Sequence, residues 1–379
     1  EYKKINELTT VVTGGTPSTR KNEYWDNGDI PWLQSGCCQN CDVDSTEKYI
    51  TKEGYNNSST HMMSADTVMI ALTGATAGKV GYLKFEACGN QSITGILPCE
   101  SLNQRYLFFY LLSQREKILA DCVGGAQAHI SQSYVKNMTI PILAIKEQEQ
   151  IVGELTKVSN IVSLRQEEIQ QLDNLVKARF VEMFGDCTNM ISLSELCLII
   201  TDGTHQSPKF QHDGIPFILV SNLSKNTVTY DTDKFISAET YKELYKRTPI
   251  EIGDILLSTV GSYGHPAVVV EDRKFLFQRH IAYLKPKSDI LNSYYMHGAL
   301  LSPGCQRQIE EKVKGIAQKT LNLSEIRKIR IPVPSLDLQK QYADFVHQVN
   351  KSKFDTMTFA PIYAIINLYL HTYFYQGRR

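Results

Sequence analysis

Gly124-Gly125-Ala126-Gln127-Ala128-His129-Ile130-Ser131 returns, 191 residues further on, as Gly315-Ile316-Ala317-Gln318-Lys319-Thr320-Leu321-Asn322. The same offset carries Val135 to Ile326, Ile140-Pro141 to Ile331-Pro332, and Gln148 and Gln150 to Gln339 and Gln341. Upstream the offset drifts by a few residues: Gly15 matches Gly203, Ile30-Pro31 matches Ile215-Pro216, Asp66 matches Asp254, and Gln91 matches Gln278. Solenoids repeat every roughly 20–50 residues, whereas this period is the length of a domain. The chain therefore reads as two similar domains, a pseudo-twofold object suited to a two-part target.

Length agrees, since 379 residues are too many for one core. Lys and Arg total 40, as do Asp and Glu, so the formal net charge is zero. Neutralising phosphates supplies much of the affinity of a nucleic-acid binder. A neutral chain that binds DNA therefore needs local basic patches or basic partners. Nine cysteines and no apolar leader at the start read as free thiols of a cytoplasmic protein. Cys38-x-x-Cys41 has zinc spacing but no second Cys/His pair near it, so no metal is expected. Residues 359–375 are apolar but short for a membrane span and interrupted by Pro361, Asn367 and His371, which favours a buried helix.

Residues 1–145 read as short strands and turns, with one helical stretch from Gln104 to Ala120, and residues 188–335 repeat them. Pro141 and Pro332 close the two copies, because proline cannot sit inside a helix. Each copy is followed by a different kind of segment, 146–187 and 336–379. In the first, Ile151, Leu155, Val158, Val162, Arg165, Ile169, Leu172, Val176, Arg179 and Met183 step by 4 and 3 alternately. This heptad seam predicts a coiled-coil helix. Residues 147–185 would make a rod of roughly 60 Å. The second helix starts well with Tyr342, Val346 and Val349, but Pro361 interrupts it and its register is lost after Lys353. The expected fold class is α+β: two similar mixed α/β domains separated by long helices that pair as an antiparallel coiled coil. The rod would then act as a ruler between the domains.

Catalytic motifs are scarce. Gly74-Ala75-Thr76-Ala77-Gly78-Lys79-Val80 has three residues between its glycines and Val after the lysine. A nucleotide-binding phosphate loop needs four residues there, and Ser or Thr. A glycine-rich loop that meets a nucleic-acid backbone through its N–H groups suits it better. Asp254 with Asp272-x-Lys274 loosely resembles a metal-dependent nuclease core, but the first copy has no matching lysine. No Ser/His/Asp arrangement stands out. A repeated chain without catalytic motifs points to a binder rather than an enzyme. The two competing readings are a stand-alone nuclease and a coiled-coil scaffold that binds no DNA.

The residues fall in a familiar order. Gly14-Gly15-Thr16-Pro17-Ser18 precedes Tyr24-Trp25-x-x-Gly28-Asp29-Ile30-Pro31-Trp32-Leu33. Then come Thr73 to Gly81, Asn90-Gln91, Pro141 and Glu147-Gln148-Glu149-Gln150-Ile151. This order closely resembles the specificity subunit of type I restriction–modification enzymes over essentially the whole chain. The second copy is looser, with Thr201-Asp202-Gly203-Thr204-His205 and Gly214-Ile215-Pro216-Phe217.

The resemblance implies a non-catalytic reader of double-stranded DNA, its two target recognition domains each reading half of a bipartite sequence. It implies helices that dock two adenine-methylating modification subunits and a restriction–translocase subunit. S-adenosylmethionine, ATP and Mg²⁺ would belong to those partners, with no cofactor on this chain and no membrane. DNA contacts are expected in the first copy at Trp32, Gln34, Ser35, Thr73, Gly74, Thr76, Lys79, Gln91, Gln127 and His129. In the second they are expected at His205, Ser221, Asn222, Ser258, Thr259, Gln278, Arg279, His280, Gln318 and Lys319. Partner contacts are expected along the seam at Ile151, Leu155, Val158, Val162, Ile169, Leu172 and Val176.

Overall fold

In the computed structural model, residues 1–122, 129–315 and 319–357 and Tyr369 are described. They divide into two units, residues 1–165 with Tyr369, and residues 166–358. Gln127 and Gln318, and the register of the C-terminal helix beyond Met357, lie outside the described residues.

The first unit opens with β1 (Tyr2–Lys4), α1 (Ile5–Leu8), β2 (Val11–Thr13), β3 (Ile30–Leu33), β4 (Cys41–Val43) and β5 (Tyr49–Ile50). Then follow α2 (Lys52–Asn56), β6 (Val68–Ala71), β7 (Val80–Leu83), β8 (Cys88–Gly89) and β9 (Ile93–Ile96). It closes with α3 (Gln104–Ser113), α4 (Arg115–Ala120), α5 (Gln132–Asn137), β10 (Thr139–Pro141) and the long α6 (Ile145–Phe184), which continues into the second unit. That unit runs β11 (Met190–Ser192), α7 (Leu193–Leu196), β12 (Cys197–Asp202), β13 (Ile215–Ile218), β14 (Phe235–Ile236), α8 (Ala238–Leu244), β15 (Ile255–Ser258) and β16 (Pro266–Val268). It ends with β17 (Leu276–Phe277), β18 (Ile281–Pro286), α9 (Ser293–Leu301), α10 (Pro303–Lys312), α11 (Leu323–Ile326), β19 (Arg330–Pro332) and α12 (Leu336–Met357).

Three sheets recur in the two units. The pair β1-β10 corresponds to β11-β19, β5-β3-β8 to β14-β13-β17, and β2-β9-β6-β7 to β12-β18-β15-β16. Only the first unit adds β4, parallel to β7. Arg105 pins β4 with a two-pronged ion pair to Asp42, at 2.5 and 2.6 Å. The central strands are buried on both faces, and period-2 alternation assigns each side chain to a layer. Val68 and Ile70 join the core shared with α3 and the start of α6, whereas Met69 and Ala71 face the opposite core. Ile255 and Leu257 are likewise divided from Leu256.

The strongest repeated feature is a buried glutamine. Gln148 Oε1 accepts from the Asn103 N–H at 2.8 Å, and its Nε2 donates to the Leu143 carbonyl at 2.9 Å. Gln339 Oε1 accepts from the Asn292 N–H at 2.8 Å, and its Nε2 donates to the Ile290 and Pro334 carbonyls, each at 3.0 Å. Each glutamine thus fastens the start of a long helix to the loop that caps α3 or α9. Tyr106 and Tyr295 repeat the pattern, donating to the carbonyls of Pro141 and Pro332.

Three of the sequence matches slip by one residue. Gly203 N–H donates to Ile281 as Gly14 N–H does to Ile93, so the counterpart of Gly203 is Gly14, not Gly15. Asp66 N–H bonds Leu83 as Gly253 N–H bonds Val269, so Asp254 occupies the place of Thr67. Gln278 corresponds to Asn90, and Arg279 to Gln91, because Gln278 and Asn90 each donate to the end of the strand beside them. Loop lengths differ between the copies, and identity across such loops is a poor guide to register.

Along α6, Ile151 and Leu155 are part of the first unit's core, and Val162 is buried too. Val158, Ile169, Leu172 and Val176 are half-buried. Ile151, Leu155 and Val162 therefore face the protein's own interior and present nothing to a second chain. A seam residue that finds cover within its own chain is spent on folding. The large apolar side chains that α6 leaves exposed are Ile145, at its start, and Ile161, Leu164, Leu175 and Val181. In the second unit α12 runs antiparallel to α6. Tyr342 packs on Phe180, with ring centroids 5.4 Å apart, and Lys353, further along α12, pairs with Asp173, further back on α6. Phe184 and Tyr295 complete this aromatic cluster.

His297 on α9 gives the second unit a pH dependence. Its Nε2 lies 3.0 Å from the Asn226 carbonyl and 3.1 Å from the Pro266 carbonyl, and burial lowers its pKa below the ordinary 6.5. The unfolded chain then binds the proton more readily than the folded one. Stability is full above pH 6.5 and falls as the pH drops below it, by up to about 1.4 kcal/mol per pH unit. Circular-dichroism melts between neutral and acid pH should show this fall, and His297→Gln should flatten it.

Candidate nucleic-acid interface

In each unit the same loops meet at one end of the central sheet, tied by the same backbone hydrogen bonds. In the first unit Leu72 N–H donates to Ser92, and Ile130 N–H to Leu72, both at 2.9 Å. In the second, Thr259 N–H donates to His280 at 2.9 Å, and Leu321 N–H to Thr259 at 2.8 Å. The loop after β2 or β12 joins them through Gly15 N–H to Gly89 and Thr204 N–H to Phe277. The crossing is tight. A Cβ on Gly14 would lie 2.1 Å from the carbonyl oxygens of Gly89 and Asn90, and one on Gly203 would lie 2.2 Å from that of Phe277. Only glycine allows this approach.

The glycine loops differ in length, but both glycines of each take left-handed backbone. Gly74 and Gly78 have φ of +69° and +73°, and Gly261 and Gly264 have +72° and +80°. A single 3₁₀ turn and then β7 follow Gly74, with no helix. The strand–loop–helix geometry of a nucleotide phosphate loop is therefore missing here. Thr73 bridges His129, and Val260 bridges Thr320, so the loop before α5 or α11 borders the glycine loop.

Many of the expected residues do gather here. Gln91 is exposed and accepts from Thr16 Oγ1 at 2.5 Å. Lys79 Nζ reaches Gln39 Oε1 at 2.6 Å, a partner that the sequence reading missed. Thr73, Gly74 and Thr76 form the half-buried base of their loop, where Thr76 Oγ1 donates to the Thr73 carbonyl. Gln34 is exposed and Ser35 half-buried, just beyond the point where Asn90 N–H donates to Leu33. His129, His205, Ser221, Arg279 and Lys319 are exposed, and Gln278 and His280 are half-buried. Lys319 Nζ lies 6.0 Å from the centre of the Tyr263 ring. Burial, and then the neighbouring Arg279 guanidinium, push the His280 pKa down, which keeps that ring neutral at pH 7.

Other expected residues do not point outward. Trp32 is buried, donates its indole N–H to the Gly15 carbonyl at 3.0 Å, and meets Trp25 edge-on. Asn222 is buried, accepting from Leu219 N–H and donating to Asp231 and Thr229. Ser258 is buried, and its Oγ accepts from the His265 N–H at 2.9 Å. Thr259 is 4% exposed, at the wall of a cleft. A polar side chain whose hydrogen bonds are taken up by its own backbone holds the loop rather than a ligand.

The nuclease-like residues also separate. Asp254 is buried and accepts from Tyr283 Oη at 2.8 Å, with Lys285 3.4 Å away, whereas Asp272 and Lys274 are exposed. Among the described residues no group of three or more His, Cys, Asp or Glu is placed to hold a metal ion.

The repeated framework agrees with comparison to known proteins. The family model for the type I restriction modification DNA specificity domain matches twice, over residues 1–174 and 188–361. The chain belongs to this specificity family. Its members are the non-catalytic DNA-recognition subunits of type I enzymes. The EcoR124I/EcoR124II specificity subunit of Escherichia coli is 33% identical over 168 residues, which is 43% of this chain and 42% of that one. The MjaIX specificity subunit of Methanocaldococcus jannaschii is 23% identical over 374 residues, covering 91% of this chain and 85% of that one. The solved type I restriction–modification S subunit of M. genitalium has the same fold. It matches with a TM-score of 0.50 and 15% identity, covering 98% of this chain and 94% of that chain. Each specificity-domain match contains one complete set of the converging loops. No helix among the described residues is long and apolar enough to cross a membrane.

Proposed function

We propose that each unit reads one half of a bipartite sequence in duplex DNA, with its converging loops facing the major groove. One observation carries this reading: the two loop clusters share a backbone framework but present different side chains. Arg279 and His280 stand where the first unit has Gln91 and Ser92. Equivalent scaffolds with different edges suit two different half-sites. Residues 1–145 and 188–335 would be the readers, with 146–187 and 336–379 as the helical segments between and after them.

Two modification subunits would dock on the helices, where Ile161, Leu164, Leu175 and Val181 are exposed. They would carry S-adenosylmethionine and methylate adenine, and a restriction–translocase subunit would bring ATP and Mg²⁺. The assembly would work in the cytoplasm. Lys79, Arg279 and Lys319 supply local basic groups on a chain of zero net charge.

Arg279→Ala in the assembled enzyme tests the reading. Arg can contact guanine O6 and N7 with two hydrogen bonds, worth ~1–3 kcal/mol of discrimination. Preference should relax at one position of one half-site, seen by sequencing the methylated sites. Equal weakening on unrelated duplexes would assign Arg279 to phosphate instead.

A further inference from the structure

In the second unit the converging loops enclose a cleft of about 450 Å³, with Thr259, Arg279, His280 and Asn322 in its walls. Asp202, the last residue of β12, also lines it. Its side chain is 16% exposed and firmly oriented. Arg247 donates to Oδ1 at 2.6 Å, and His205 Nε2 lies 2.9 Å from Oδ2. The first unit has no such group: the residue before its tight glycine is Thr13.

A carboxylate is costly on a surface that meets phosphates, because like charges repel. Phosphate contacts call for donors, and a carboxylate only accepts. It has about four lone-pair sites, and Arg247 and His205 take two of them. The rest are left for a donor in the cleft. In the major groove the base edges that donate are the exocyclic amino groups, N4 of cytosine and N6 of adenine. Arg279 in the same cleft offers donors to an acceptor beside that amino group, such as guanine O6 or adenine N7.

We propose that Asp202 is a base-reading residue, accepting a hydrogen bond from the exocyclic amino group of a cytosine or adenine in the half-site of the second unit. This rests on the DNA-reading function proposed above. Arg247 and His205 are positioning residues that aim the carboxylate.

The test uses the full chain assembled with its modification subunits, once its methylated sequence is known. Duplexes are made in which one base of the second half-site lacks its amino group, with pyrimidin-2-one replacing cytosine or purine replacing adenine. Binding should fall by roughly 5- to 150-fold at one position besides the methylated adenine. The analogue that causes the fall tells cytosine from adenine. Asp202→Ala, which removes the acceptor, should abolish sensitivity at that position and leave the others unchanged. If it weakens target and unrelated duplexes equally, or leaves the sequence preference intact, Asp202 merely ties down Arg247 and the proposal fails. The analogue scan uses the unaltered protein, so it can overturn the proposal even where the variant does not fold. Absence of any amino-sensitive position overturns the proposal alone. A complex that tolerates every base change in that half-site overturns the DNA-reading function as well.

Discussion

Exchanging residues 188–335 for the matching stretch of a relative with a different target is expected to rewrite one half of the methylated sequence and leave the other half intact. The fold makes the exchange clean. β11 pairs with β19, Met190 opposite Pro332, so the ends of the transplanted stretch meet in one small sheet. The first copy closes in the same way, with Tyr2 opposite Pro141. All the backbone ties among the loops of the second unit lie between Gly203 and Leu321, well inside the exchanged stretch. Specific DNA binding exceeds non-specific binding by roughly 10³–10⁷-fold, so loss of one half-site's contacts should be plain in a map of methylated adenines. A change in both halves would show that the units do not read independently.

What the sequence disclosed depended on whether the signal was local or repeated. The duplication was legible because Gln148 and Gln339, and Pro141 and Pro332, do the same task in both copies: they fasten a long helix to a domain. The helix α6 was legible because a heptad pattern is local to the strand of residues that forms it. The destination of its apolar side chains was not, since the core that covers Ile151 and Leu155 is assembled from strands more than a hundred residues upstream in part, and from α3. Site residues were harder still. Trp32, Asn222 and Ser258 look like groove-facing groups on paper, yet they are buried and hydrogen-bonded to backbone atoms of the protein itself. Asp202 escaped notice because its partner Arg247 is 45 residues away, and nothing in the spacing joins them. The strand β4 escaped for the same reason, since Arg105 and Asp42 are 63 residues apart.

Replacing either buried glutamine by leucine is expected to remove a large share of the stability of the unit that holds it. Gln148 and Gln339 are both fully buried. Leucine is of similar size but bonds to nothing, so each replacement strands one backbone N–H and two carbonyls that the amide now satisfies. An unsatisfied buried group costs about 1–3 kcal/mol, and partial access to water should hold the total for each variant to about 2–4 kcal/mol. A domain is stable by only roughly 5–15 kcal/mol, so the loss is a large share.

The two variants can be told apart, because both tryptophans of the chain, Trp25 and Trp32, belong to the first unit. In denaturant titrations Gln148→Leu should shift the tryptophan fluorescence midpoint to lower denaturant. Gln339→Leu should shift the circular-dichroism signal of the second unit and leave the fluorescence midpoint in place. Glutamate separates hydrogen bonding from packing. Gln339→Glu keeps the acceptor for Asn292 N–H, but at neutral pH turns a carboxylate toward the carbonyls of Ile290 and Pro334. Protonation restores one donor, so this variant should recover stability relative to the unaltered protein as the pH falls, whereas Gln339→Leu should not. Losses below about 1 kcal/mol in both leucine variants would mean that water satisfies these groups, and that the long helices are held by their apolar contacts alone.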